Sequence, residues 1–99
     1  MPFTIRFDRD ARNDLRALRK SDQVTTTNHI ERHLRHEPAK ERGTRIKALV
    51  QPAVSQFRLR VGEFRVYYDV HEDAEEVRII RIVEKGRRST QEVTSRETD

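Results

Sequence analysis

The segment FRLRVGEFRVYYDV, residues 57–70, limits the fold of this chain more than any other stretch. Phe57, Leu59 and Val61 alternate with Arg58 and Arg60. After Gly62-Glu63, Phe64, Val66, Tyr68 and Val70 alternate with Arg65, Tyr67 and Asp69. A period of two on both sides of a glycine-bearing pair is the pattern of a β-hairpin with a short loop. With Gly62 and Glu63 as the loop, Val61 faces Phe64, Arg60 faces Arg65 and Arg58 faces Tyr67. Cross-strand partners project to the same face, so one face is apolar and the other carries Arg58, Arg60, Arg65 and Tyr67. A one-residue slip would mix the two sets, which makes this register well specified.

The remaining elements are read around this hairpin. Phe3, Ile5 and Phe7 alternate with Thr4 and Arg6, a short strand with one buried face. Asp8 or Asp10 can cap a helix over residues 10–20, where Ala11, Leu15 and Leu18 share a face. Ser21-Asp22 marks a break and a new cap. Val24, Thr27, Ile30 and Leu34 form the stripe of a second helix that ends before Pro38 and folds back on the first. Residues 37–45 read as loop, and 46–56 as a short turn tucked under the sheet with Pro52 as breaker. His71 to Glu76 is an acidic turn. Val77 to Val83 is apolar at nearly every position, as in a strand covered on both faces. The expected fold is α+β, with two N-terminal helices on one face of a small, mainly antiparallel sheet in the order β-α-α-β-β-β. At 99 residues this is one domain, expected over 1–88, with a polar and flexible tail over 89–99.

With 33% hydrophobic and 38% charged residues, the core is thin under a charged coat. The net charge is +4 and the cations are mostly arginine, whose planar fork matches phosphate oxygens. Like charges placed opposite one another destabilise a hairpin, so the arginine face suggests a surface held against RNA or DNA phosphate. The alternative is a solvated outer face whose arginines splay apart or pair with Glu63 and Asp69. Lys85, Gly86, Arg87 and Arg88 form a second basic cluster that either closes over that face or solubilises a strand end. The absence of cysteine excludes disulfides and thiolate chemistry. There is no apolar run of transmembrane length and no signal-peptide pattern, so a soluble, cytoplasmic protein is expected. His29, His33 and His36 have spacing that can hold a metal, but they lie away from the apolar stripe and read as solvent-facing; no metal or cofactor is expected.

The hairpin, the acidic turn, the strand VRIIRIV (77–83) and the glycine with its basic pair in KGRR resemble the C-terminal core of the RelE/ParE toxins. DRDARNDLRAL (8–18) resembles their first helix, and RIKAL (45–49) the segment before the hairpin. The resemblance spans roughly residues 3–93. It implies the toxin of a toxin–antitoxin pair, a ribosome-dependent mRNA endonuclease (mRNA interferase) that cuts by 2′-hydroxyl attack on the adjacent phosphate and needs no metal. On this reading Arg65 and Arg88 neutralise the phosphorane, and Arg58 and Arg60 hold phosphate and the leaving oxygen. Lys47, Tyr67, Lys85 and Arg87 are the further RNA-binding candidates. The implied partners are a cognate antitoxin, the ribosome and mRNA, with no membrane. Two departures bear on activity. Several nuclease members carry a tyrosine where this chain has Thr94, and hairpin lysines that some members use for proton transfer are arginines here. Arginine stays protonated and is a poor general base. Glu63, Asp69, Lys47, Lys85 and Tyr67 remain open as substitutes. A ParE-type inhibitor of DNA gyrase, or an inactive toxin-like binding module, is the alternative function.

Overall fold

The computed structural model describes residues 2–86. The elements are β1 (Thr4–Phe7), α1 (Arg9–Arg16), α2 (Lys20–Leu34), β2 (Ile46–Ala48), β3 (Phe57–Val61), β4 (Phe64–His71) and β5 (Glu76–Glu84). They form one five-stranded sheet in the order β1-β5-β4-β3-β2, in which β1 runs parallel to β5 and the other pairs are antiparallel. The α+β architecture matches the sequence expectation. Residues 46–48, expected in a turn, instead form the edge strand β2 against β3.

The central hairpin adopts the register that alternation demands: Val61 opposite Phe64, Arg60 opposite Arg65, Arg58 opposite Tyr67. Gly62 has φ +56°, and it occupies the first central position of a two-residue loop. A side chain at that φ is strained, which is why glycine sits there. On the inner face Leu59, Val61, Val66, Tyr68, Val70, Val77, Ile79 and Ile82 join Ala11, Ile30 and Leu34 in one core. Tyr68 is fully buried, donates a 2.6 Å hydrogen bond to the Pro38 carbonyl and stacks on Phe57. That bond pins the chain after α2 to the sheet.

The helices depart from the expected boundaries. α1 stops at Arg16 and α2 starts at Lys20, so the break falls ahead of Ser21-Asp22. The Gln23 amide closes the connection by donating to the Leu18 carbonyl at 2.9 Å, and Asp22 lies within the first turn, paired with Arg19. The Asp8 side chain makes no cap; it faces Arg78 at 3.5 Å. The buried stripe of α2 runs through Thr26, Ile30 and Leu34, while Val24 is 52% exposed. A spacing of four from Ile30 selects Thr26, and the threonine methyl substitutes for a larger apolar group.

β5 is not covered by helices on both faces. Tyr67 pairs with Arg81 but Tyr68 with Ile79, so Ile80 is an extra residue in a β-bulge. The bulge resets the alternation. It puts Val77, Ile79 and Ile82 on the core face and both Arg78 and Arg81 on the other, which explains why the segment reads as almost continuously apolar. β1 ends opposite Ile79, leaving the rest of that β5 edge for α1 to cover. There the Asp14 carboxylate accepts from the Ile82 backbone N–H at 2.9 Å and from Arg81 Nε at 2.7 Å. One side chain thus satisfies an edge amide and neutralises an arginine. We predict that Asp14→Ala lowers the free energy of unfolding by about 2 kcal/mol, the loss expected for charge-assisted hydrogen bonds, and that Asp14→Asn loses less; urea melts of the three proteins check this.

Candidate nucleic-acid interface

The face opposite the helices is a lattice of cations set by strand register. Lys47, Arg58, Tyr67 and Arg81 lie side by side across β2, β3, β4 and β5. One row toward the hairpin loop are Arg60, Arg65 and Val83. Arg45 extends this row, because the Arg60 N–H donates to the Arg45 carbonyl at 2.8 Å. One row the other way are Arg6, Arg78 and Asp69.

Among the described residues, carboxylates meet the cations of the β1–β5 side of this face. Glu76 sits 3.4 Å from Arg6 and 3.1 Å from Arg78, and Asp14 holds Arg81. On the β2–β3 side, no carboxylate among the described residues lies within 4 Å of Arg45, Lys47 or Arg60. Asp69, one of the expected counterions, accepts from the Gln56 backbone N–H at 2.7 Å. Arg45, Lys47 and Arg60 are thus the cations of this face with no carboxylate partner among the described residues, and clustered like charge of this kind favours an anionic ligand.

Access to this lattice is uneven. Arg60 and Lys85 are exposed and Lys47 is half-buried. Arg58 is 4% exposed, Arg65 8%, and Tyr67 is fully buried. Leu49 and Val54, from the β2–β3 connection, pack on Tyr67 and Val83 as a second small apolar cluster. The Gln51 amide closes that connection by donating to the Leu49 and Ser55 carbonyls at 3.2 and 3.0 Å. Arg65 Nη1 donates to the Gly62 and Phe64 carbonyls, both at 3.1 Å, so this guanidinium also braces the hairpin tip. Of the sequence-derived site residues, the fold brings Lys47, Arg58, Arg60, Arg65 and Tyr67 together on adjacent strands. Lys85 follows β5, with its N–H donating to the Glu63 carbonyl at 2.7 Å. Arg87, Arg88 and Thr94 lie outside the described residues. Sequence reading overlooked Arg45, Arg78 and Arg81 on this face. Arg45 lies in the turn before β2, where strand alternation gives no signal.

The histidines are not all solvent-facing. α2 ends at Leu34, so exposed His36 leaves the helical spacing. His29 and His33 are half-buried with ring centroids 5.6 Å apart. Burial, then the guanidinium charges of Arg32 and Arg45, holds His29 below its ordinary value of 6.5. Burial, then Arg45, His29, Arg32 and Arg42, does the same for His33. Among the described residues no three His, Asp or Glu side chains gather as a metal site, and no helix is long and apolar enough to cross a membrane.

A small α+β domain with a buried-to-exposed arginine lattice on its outer sheet face is the form of a RelE/ParE-type toxin. Residues 5–88 match the family described as the ParE toxin of the type II toxin–antitoxin system parDE. The chain belongs to that family and is a toxin of the RelE/ParE superfamily. Its fold is similar to the toxin in the RelBE2 toxin–antitoxin complex of Mycobacterium tuberculosis, with 26% identity, TM-score 0.68, and 86% of this chain and 100% of that one covered. It is also similar to the archaeal RelE–RelB complex of Pyrococcus horikoshii, with 18% identity, TM-score 0.66 and coverage of 88% and 99%. A double arginine-to-alanine variant of the E. coli toxin RelE in the free state aligns at 19% identity, TM-score 0.65, with coverage of 98% and 95%. No curated protein sequence matches this chain.

The histidine pair gives a pH prediction. Both folded-state values lie below the unfolded 6.5, so between them the unfolded chain binds protons that the folded chain does not. Stability from this pair is fully present above pH 6.5 and is lost as pH falls from there through the lower folded values. The urea midpoint should therefore decline on acidification from pH 7 toward 5, with a shallower decline in the His29→Gln/His33→Gln double variant.

Proposed function

We propose that this toxin arrests translation as a ribosome-dependent mRNA endonuclease and is kept silent by a cognate antitoxin. The observation that carries this reading is the unneutralised half of the arginine lattice, Arg45, Lys47 and Arg60, beside buried Arg58 and Arg65. In the reaction the 2′-hydroxyl attacks the adjacent phosphate, the 5′-oxygen of the next nucleotide leaves, and a 2′,3′-cyclic phosphate remains. Fixed guanidinium groups stabilise charge that develops on the phosphorane. Arg60 meets the backbone from the exposed side. Arg58 and Arg65 act once RNA displaces what covers them, and Arg88, with Arg87, keeps the role that the family resemblance assigns it, charge neutralisation on the phosphorane. Tyr67 and Lys85 border the path. Lys47, a lysine among arginines, sits opposite Arg58 and takes the proton-transfer role, because arginine stays protonated and is a poor general base. No cofactor enters this scheme.

A second reading, a ParE-type inhibitor of DNA gyrase, is favoured by Thr94 at the position of the nucleases' tyrosine and by the burial of Arg58 and Arg65. Primer-extension mapping of a defined message in a translating extract separates the two. Wild type should cut at ribosome-occupied codons. Arg60→Ala and Arg88→Ala should slow cutting at least 10²-fold, the scale of one lost transition-state donor. Arg65→Ala is the less clean variant, since it also removes two contacts at the hairpin tip. An uncut message, together with stabilised gyrase–DNA cleavage complexes, would establish the second reading instead.

A further inference from the structure

Beside the hairpin tip lies a cationic cleft in which the scheme above gives Arg45 no step. Thr44, Arg45, Arg60 and Gly62 line a hollow of about 170 Å³, smaller than an ordinary small-molecule pocket. It suits one phosphate and its waters rather than a whole nucleotide. Arg45, in the turn before β2, is held beside Arg60 of β3 by the Arg60 N–H to Arg45 carbonyl bond, and both are exposed. Two like charges set side by side repel, and a bound anion would remove that repulsion.

We propose that this cleft is a second phosphate subsite, which seats an RNA backbone phosphate next to the one cut at Arg58, Arg60 and Arg65. The inference rests on the RNA-binding reading of the sheet face and extends it around the β2–β3 edge toward α2. On that side stand His29 and His33, whose Nδ1 and Nε2 respectively have no hydrogen-bond partner. Gly62 lines both this cleft and the neighbouring hollow that contains His29 and Glu63. Beyond burial, which is the largest influence on both rings, the groups that act on them are Arg32 and, on His33, His29 from α2, and Arg42 and Arg45 from the chain before β2. A phosphate beside Arg45 would offset its field, and both rings would then titrate at higher pH.

The test uses an all-2′-O-methyl oligoribonucleotide, which cannot be cut and so reports binding alone. Its Kd is measured against salt for wild type, Arg45→Ala and Arg45→Lys, and His29 and His33 are followed by NMR titration. Arg45→Ala should weaken binding and flatten the slope of log Kd against log salt by about 0.7, the value of one single-strand phosphate contact, while Arg45→Lys keeps the slope. In wild type the oligonucleotide should raise the titration midpoints of His29 and His33. If wild type binds and Arg45→Ala keeps both its affinity and its slope, the subsite is wrong although the RNA reading stands. If folded wild type binds the oligonucleotide neither free nor on programmed ribosomes, the RNA reading falls and takes the subsite with it. Inorganic phosphate that moves the two histidines when the oligonucleotide does not would mean a free-anion site and overturn the assignment to RNA.

Discussion

The β3–β4 hairpin register is the constraint on which the rest of the molecule depends. Once Gly62 takes its positive φ, Val61 must face Phe64, and every later pair follows in steps of one. That places Leu59, Val61, Val66 and Tyr68 under the helices and Arg58, Arg60, Arg65 and Tyr67 away from them. β2 then adds to β3, so that Lys47 meets Arg58, and β5 adds to β4, so that Arg81 meets Tyr67. The helices need only an apolar inner face to dock on. The outer face inherits a cation lattice as the complement of the same alternation.

The sheet then manages the charge it has gathered. The Ile80 bulge keeps Arg78 and Arg81 off the core face, and Glu76, Asp8 and Asp14 neutralise them and Arg6. Asp14 also closes the β5 edge that β1 leaves open. None of this extends to Arg45, Lys47 and Arg60. The asymmetry bears on the anion-binding reading of this edge, because a paired guanidinium has little left to offer phosphate, whereas one without a carboxylate among the described residues keeps more of its field.

The outer face also carries a small apolar cover. Leu49 and Val54 bury Tyr67 and Val83, and a guanidinium deep in the same face is shielded from solvent in the form seen here. A buried charge interacts strongly with whatever reaches it, since the local dielectric is low.

Much of this was legible in the sequence. Alternation about Gly62 determined the hairpin register, both of its faces and the α+β class, because a two-residue period leaves no freedom once one face must be buried. The FRLRVGEFRVYYDV and KGRR patterns carried the resemblance to the toxin family. Other features were settled only by tertiary structure. The strand at Ile46–Ala48 exists because β3 offers an unpaired edge, not because three residues have a strong preference of their own. The Ile80 bulge depends on satisfying β4 and α1 together, and the shift of the α2 stripe from Thr27 to Thr26 depends on how the helix rolls onto the sheet. Whether each arginine is paired, buried or free was likewise beyond the sequence, since Asp14 lies 67 residues from Arg81 and only folding brings them to 2.7 Å.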